Sequence, residues 1–150
     1  MELRVDAYLP LEYVRGENQR MEVFKRIALI KTREEREDAI EEMIDRFGDI
    51  PACVMNLIEI AHLRGICGRL GINRVSYTAN TLVFRLTPAA MPDPAVLYAA
   101  LEKTDKRLLL SASKSPAILL RDPRLTIEEM LRAAVPIMEK LELCLSGKAS

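Results

Sequence analysis

Glu41-Glu42-Met43-Ile44-Asp45-Arg46-Phe47-Gly48-Asp49-Ile50-Pro51 is the stretch whose reading decides the first half of the fold. Ile40, Met43, Ile44 and Phe47 recur at spacings of three and four, which puts them on one face of a helix. On the far side, at the same spacing, stand Glu35, Asp38, Glu42 and Asp45, with Arg46 beside them. Gly48 falls where a helix stop needs a residue that tolerates positive φ. Pro51 has the fixed φ of a first helical position. The stretch therefore reads as a helical corner, burying an apolar stripe and showing an acidic ridge that ends in one arginine.

Working outward, Thr32 and Glu35 form a capping box at the start of that helix. A preceding helix is expected from an Asn18 cap to about Lys31, with Met21, Phe24, Ile27 and Ala28 inward and Arg20, Lys25 and Arg26 outward. Two helices joined so tightly make an antiparallel hairpin. Leu3 to Leu9 alternates apolar and polar residues, the period of a half-buried strand that Pro10 ends. Beyond Pro51 a long helix is expected to Leu70, with Val54, Leu57, Ile58, Ala61 and Ile66 inward. Gly65 and Gly68 weaken it by roughly 1 kcal/mol each relative to alanine, so both are expected to mark close packing.

The second half alternates strand pairs and helices. Asn73 to Ala79 and Thr81 to Thr87 read as strands around a turn at Asn80, and Arg107 to Ala112 and Ala117 to Arg121 as a second pair split by Ser113–Pro116. Asp93-Pro94 opens a helix through about Lys103. Thr126 and Glu129 box the start of a last helix, with Ile127, Met130, Leu131, Ala134, Met138 and Leu141 inward and Pro136 inside, where its ring is expected to kink the helix near Arg132. Gly147 to Ser150 reads as a frayed tail. Short links within each pair favour antiparallel neighbours. The expected fold is α+β: one domain, a small, mainly antiparallel sheet with helices packed on it, an N-terminal helical hairpin, and Leu3–Leu9 as a possible edge strand.

The chemistry-bearing motifs are few. Lysine plus arginine and aspartate plus glutamate number 22 each, so there is no cationic surplus for nonspecific nucleic-acid binding. No apolar run approaches the length of a membrane span. Cys53, Cys67 and Cys144 make no pairing framework, which suits a reducing cytosol. Phosphate-binding glycine loops are absent, and Gly65-Ile66-Cys67-Gly68 lies inside a helical pattern. His62 is the only histidine and reads as structural. The three cysteines sit in apolar stripes, where cysteine behaves as a small hydrophobe. Seven carboxylates between Glu34 and Asp45 lie on one convex helix, which cannot converge on a metal as ligands from several elements do. No catalytic, cofactor or metal residue is nominated. The ridge reads as solvated surface or, functionally, as a recognition surface for an arginine-bearing partner.

Met43 to Pro51 resembles Leu-Ile-Asp-Arg-Phe-Gly-Pro-Leu-Pro, a motif of the C-terminal domain of bacterial transcription-repair coupling factors, with Asp49 where the family often has proline. Val5–Pro10, Phe24-Lys25-Arg26-Ile27-Ala28 and Leu57 to Leu70-Gly71-Ile72 extend the likeness over roughly the first half. The resemblance implies a piece of a larger cytoplasmic chain, an ATP-dependent DNA translocase in which this domain is regulatory and not catalytic. It implies that the domain masks the UvrA-binding surface of a UvrB-like N-terminal module of the same chain, while RNA polymerase and DNA engage other domains. Residue by residue, the masking contact falls on Glu42, Asp45 and Arg46, with Phe47, Gly48 and Pro51 shaping the corner from behind. Two other readings stand beside it: a nucleic-acid-binding accessory module using Arg20, Lys25, Arg26 and Lys31, and a small enzyme for which no residue can be named.

Overall fold

In the computed structural model, which describes residues 6–111 and 115–146, five helices and four strands follow one another as α1 (Glu17–Ala28), α2 (Arg33–Phe47), α3 (Ala52–Arg69), β1 (Ile72–Thr78), β2 (Thr81–Leu86), α4 (Pro94–Thr104), β3 (Leu108–Ser111), β4 (Ala117–Arg121) and α5 (Ile127–Ser146). A short 3₁₀ turn, Pro88–Ala90, precedes α4. The chain forms two compact units. Residues 5–65 hold α1, α2 and most of α3; the second runs from Ile66 and holds the sheet, α4 and α5.

The helical unit is built around Leu9, Val14, Val23, Ile27, Ile30, Ala39, Met43, Val54, Ile58 and Ala61, all buried. Three expectations change here. On α1 the buried residues are Val23 and Ile27, whereas Met21 and Phe24 are exposed. Ile27 is buried as expected, Val23 takes the inward place given to Phe24, and Ala28 is exposed as well. On α2 the buried residues are Ala39 and Met43. Ile40 and Phe47 are half-buried and Ile44 is exposed, because the smaller Ala39 sits closest to the neighbouring helices. Finally, 3–5 of the expected strand Leu3–Leu9 lie outside the described residues, and Asp6–Leu9 is irregular. Its backbone is bound locally instead: the Tyr8 N–H donates to the Cys53 carbonyl (3.3 Å) and the Asn56 amide to the Asp6 carbonyl (2.9 Å).

Helix α3 is buried almost all round, including Asn56, Glu59 and His62. Gly65 is the close approach the sequence called for: a Cβ there would lie 2.9 Å from the Lys31 Cα. Gly68 is not. It is exposed, with nothing within 4 Å of an added Cβ.

In the second unit all pairings are antiparallel, in the order β1-β2-β4-β3. Ala79 and Asn80, with φ of 52° and 59°, make the two-residue connection between Thr78 and Thr81. Positive φ at both central residues matches the right-handed twist of the strands. Val75, Leu82, Phe84, Ile118 and Leu120 share the buried face, and α4 packs against β3 and α5. Asp93 caps α4 through the Ala95 N–H (2.8 Å). Both halves of the Thr126–Glu129 box form, at 3.0 and 3.2 Å. Helix α5 runs continuously through Pro136 and buries the expected stripe, Ile127 only partly. The tail from Gly147 lies outside the described residues, as do Ser113 and Lys114 of the expected Ser113–Pro116 link.

After β4, Asp122 is buried and accepts from the Arg124 side chain (3.2 and 3.3 Å), the Arg124 N–H (3.0 Å) and Arg107 Nη1 (3.1 Å). Arg124 first, and then Arg107, hold its carboxyl down at about 2, below the ordinary 3.8. A carboxylate depressed in the folded state stabilises above its unfolded pKa, and that contribution is lost as pH falls through the folded value. Urea melts from pH 5 down to pH 2 are therefore expected to lose stability below about pH 4, with Asp122→Asn showing a shallower fall than the parent chain. Equal slopes for the two proteins would remove Asp122 from the account.

Candidate protein-interaction site

The acidic corner is assembled by α2 and the segment before α1. Thr32 Oγ1 accepts from the Glu35 N–H (3.2 Å) and donates to the Glu35 carboxylate (3.2 Å), so the cap holds in a variant form of the expected box. At the other end Gly48 has φ +89° and ψ −164°, and its N–H closes on the Ile44 carbonyl (2.9 Å). Only glycine occupies that backbone region without strain on the order of 1–3 kcal/mol. Pro51 sits just ahead of α3 and not inside it; its carbonyl accepts from the Val54 and Met55 N–H groups, both at 3.0 Å.

Sequence reading missed what fastens this corner. The Tyr13 hydroxyl donates to the Gly48 carbonyl (2.9 Å) and lies 3.4 Å from the Met43 carbonyl. Its ring packs on Phe47 at a centroid separation of 5.7 Å. Phe47 is half-buried between that ring and the Arg46 guanidinium, 5.0 Å from its own centroid. It braces the corner and is not the fully buried anchor that the stripe suggested. A tyrosine thirty-odd residues upstream, in an irregular passage, carries no periodic signal that would assign it this role.

All seven carboxylates from Glu34 to Asp45 are exposed, as is Arg46. The three nominated residues nevertheless do not share one face opposite the core. At about 100° per residue, Asp45 points away from the Ala39–Met43 stripe, while Glu42 and Arg46 lie along one margin of it, beside α1. There Glu42 meets Arg26 (3.4 Å) and Arg46 (3.7 Å), and Arg46 meets Glu22 (3.6 Å). These residues border a shallow groove of about 170 Å³ that Val23 and Met43 also line. The pairs are 38–66% exposed in their side chains. Exposed pairs of this kind contribute about 0–1 kcal/mol each, so exchanging one for a partner's charge is cheap.

Two cations of the basic strip, Arg20 and Arg26, have partners inside the domain. Arg20 donates to the carbonyls of Leu9 (2.9 Å) and Val14 (3.1 Å), tying the opening segment to the helix, and Arg26 is held by Glu42. Among the cysteines, Cys67 is buried and burial pushes its thiol up to about 12, the setting of an inert core thiol. Among the described residues no group of three or more histidine, cysteine or acidic side chains is placed to hold a metal ion. No helix among them is long and apolar enough to cross a membrane.

Residues 3–97 match the TRCF domain family. The chain belongs to that family. The match covers the whole helical hairpin, α3, the first strand pair and the start of α4. Among curated relatives, this TRCF domain is 35% identical over 103 residues to the transcription-repair-coupling factor of Escherichia coli K12. It is 34% identical over 95 residues to that of Mycobacterium bovis, and 32% over 93 residues to that of Staphylococcus epidermidis. These alignments take in 69%, 63% and 62% of this chain but only 9%, 8% and 8% of the relatives, so the chain spans less than a tenth of their length. A crystal structure of the C-terminal domain of transcription-repair coupling factor superposes with a TM-score of 0.81 at 24% identity, covering 99% of this chain and 94% of that one. The TRCF fold therefore extends past the family match to α5.

Proposed function

We propose that this TRCF domain is a non-catalytic regulatory domain of a transcription-repair coupling factor, active in transcription-coupled DNA repair in the cytoplasm, which latches onto a UvrB-like module of the same parent chain and masks its UvrA-binding surface. Residues 1–150 act in it as one domain, without a cofactor, while RNA polymerase and DNA engage other parts of the parent. The observation that carries the reading is the exposed acidic face of α2, ending at Glu42, Asp45 and Arg46 on a corner braced by Tyr13, Phe47 and Gly48. A latch joined to its target in one chain enjoys a high effective concentration, so a few exchangeable charge contacts hold it closed and still let it open. Charged contacts add specificity without a large apolar patch that would make closure permanent. In this reading catalysis is left to the parent, and Cys67 and His62 are both buried.

In the full-length parent, Asp45→Arg, alone and with Glu42→Lys, is expected to place like charges across the latch and raise UvrA binding at least about ten-fold, about 1.4 kcal/mol of lost closure. Asp45→Arg is the cleaner variant, because Asp45 lies outside the α1–α2 ion pairs; Glu42→Lys also forfeits Arg26 and Arg46. Melts of the isolated domain check that folding persists. UvrA binding as low as the parent's, with normal melts, would show that this corner is not the latch. The rival nucleic-acid reading is separated by a gel-shift titration at low salt; with charges balanced over the chain and Arg20 tied to the opening segment, no tight shift is expected.

A further inference from the structure

Strand β3 (Leu108–Ser111) ends the sheet: among the described residues its one strand partner is β4. Which of its backbone groups are left over follows from the register. The Arg121 N–H donates to the Arg107 carbonyl (3.4 Å), so these two residues face each other as a hydrogen-bonded pair. Bonded and non-bonded pairs alternate along an antiparallel ladder. Leu109 and Ser111 therefore bond to Leu119 and Ala117 of β4, while the amides and carbonyls of Leu108 and Leu110 turn to the outer edge. The Leu108 N–H is closed off by the Asp105 carbonyl (3.2 Å). Three groups remain for a further strand: the Leu108 carbonyl, the Leu110 N–H and the Leu110 carbonyl.

Sheet edges are commonly blunted by bulges, charges or prolines. The opposite edge, β1, has a register shift between Ile72 and Arg74. β3 reads Leu-Leu-Leu-Ser and has only its shortness to protect it. Beside it lies a groove of about 460 Å³ between α4 and β3, with Tyr98, Leu101, Leu108 and Leu110 as its apolar lining. Tyr98 is 56% exposed. Leu108 and Leu110 stand opposite Leu120 and Ile118, both buried, so their side chains lie on the α4 side of the sheet.

We propose that β3 takes an extended peptide of a partner protein as a fifth strand, with two alternate apolar side chains of that peptide seated in the α4–β3 groove. Paired residues on neighbouring strands project to the same face, so the peptide residues opposite Leu108 and Leu110 point into the groove, about 6.8 Å apart. The residue between them lies beside Leu109 on the other face and covers it. Main-chain bonds supply affinity in such a pairing, and pockets for alternate side chains supply specificity. The groove volume falls within the range of about 300–1,000 Å³ of sites that hold ligands. A second copy of the chain fits less well. It would bring its own α4 to the same side of the sheet, over its own Leu108 and Leu110, and have no free side chain for the groove. This surface shares no residue with the acidic corner, so the proposal stands apart from the latch.

The test uses this chain and a fluorescein-labelled peptide of alternating valine and threonine with a lysine at each end, followed by anisotropy. Saturable binding is expected, weakened about ten-fold or more by Tyr98→Ala, which removes one wall of the groove and leaves β3 intact. Methylating the peptide amides one at a time is expected to alternate along the peptide. Amides that face β3 lose binding about ten-fold or more, and those between them keep it, a pattern that a merely apolar contact does not produce. In the wild-type chain, saturating peptide is expected to slow hydrogen exchange at the Leu110 amide about ten-fold or more and to leave Leu109, already bonded to β4, unchanged. That readout decides the case even if Tyr98→Ala unfolds. Absence of saturable binding, a methylation series without alternation, or no added protection at Leu110 would overturn the proposal. Self-association of the chain that protects Leu110 without peptide would overturn it too, by making the occupant a second copy.

Discussion

Arg36→Met is expected to destabilise the helical unit by about 3–5 kcal/mol, read as a fall in the urea midpoint with an unchanged slope. Glu59 on α3 is buried, its side chain 5% exposed, and its carboxylate is met by Arg36 Nε (3.1 Å) and Nη2. Methionine keeps the length and apolar bulk of the arginine stem, so packing is largely retained and the loss isolates the charge. What remains is a carboxylate out of water with no counter-charge, and removing one partner of a buried pair costs far more than the pair itself contributes. The companion double variant, Arg36→Met with Glu59→Leu, separates these two quantities. Replacing both charges with apolar groups is expected to recover most of the stability, because the pair's attraction only roughly offsets its desolvation. Arg36→Lys should fall between, since an ammonium supplies charge but not the planar fork. If Arg36→Met melts within about 1 kcal/mol of the parent chain, the range of an exposed pair, then Glu59 is solvated and the pair is a surface one.

The second large effect is a contrast between two glycines three residues apart on α3. Gly65→Val is expected to cost more than about 3 kcal/mol, and Gly65→Ala about 1–2 kcal/mol net, whereas Gly68→Ala should stabilise by up to about 1 kcal/mol. Alanine in a helix interior gains about 1 kcal/mol over glycine wherever there is room. At Gly68 there is room. At Gly65 a Cβ meets the Lys31 Cα at 2.9 Å and the Ile30 carbonyl oxygen at 3.4 Å, backbone atoms in the α1–α2 link that cannot swing aside as a side chain would. Relief requires the link to move off α3, and a β-branched residue adds two methyl groups to the same collision. Parallel thermal melts of the three variants read the signs directly. A neutral or stabilising Gly65→Ala would mean that the link yields, and that the close approach is tolerated but not required.

Asp122 shows the same division between kinds of interaction. Its neighbours Arg107 and Arg124 are visible in the chain as charges near a turn, but only the β3–β4 pairing brings Arg107 across from it. The pH dependence predicted for this aspartate thus has a larger, local share from Arg124, two residues on, and a smaller share from Arg107 that only the fold supplies.

What the sequence by itself determined is what depends on near neighbours in the chain. Helical period, the Thr126–Glu129 box, the Asp93-Pro94 start, the positive φ of Gly48 and the Asn80 turn each involve residues within a turn or two of one another, so the order of elements and the antiparallel pairs were legible. The family likeness at Met43–Pro51 belongs to the same class, since a helical corner is a local object. Tertiary structure alone decided which of two adjacent apolar residues turns inward. Val23 displaces Met21 and Phe24, and Ala39 displaces Ile44, because period gives a face to within a residue while the neighbour's shape selects the side chain that fits. It alone decided the Arg36–Glu59 pair, the Tyr13 hydroxyl on Gly48 and the split of Glu42 and Arg46 from Asp45. Each of these joins residues from different elements or depends on which element lies alongside. A charge or hydroxyl shows no periodic trace of a partner that chain folding, and not chain spacing, brings within 3 Å.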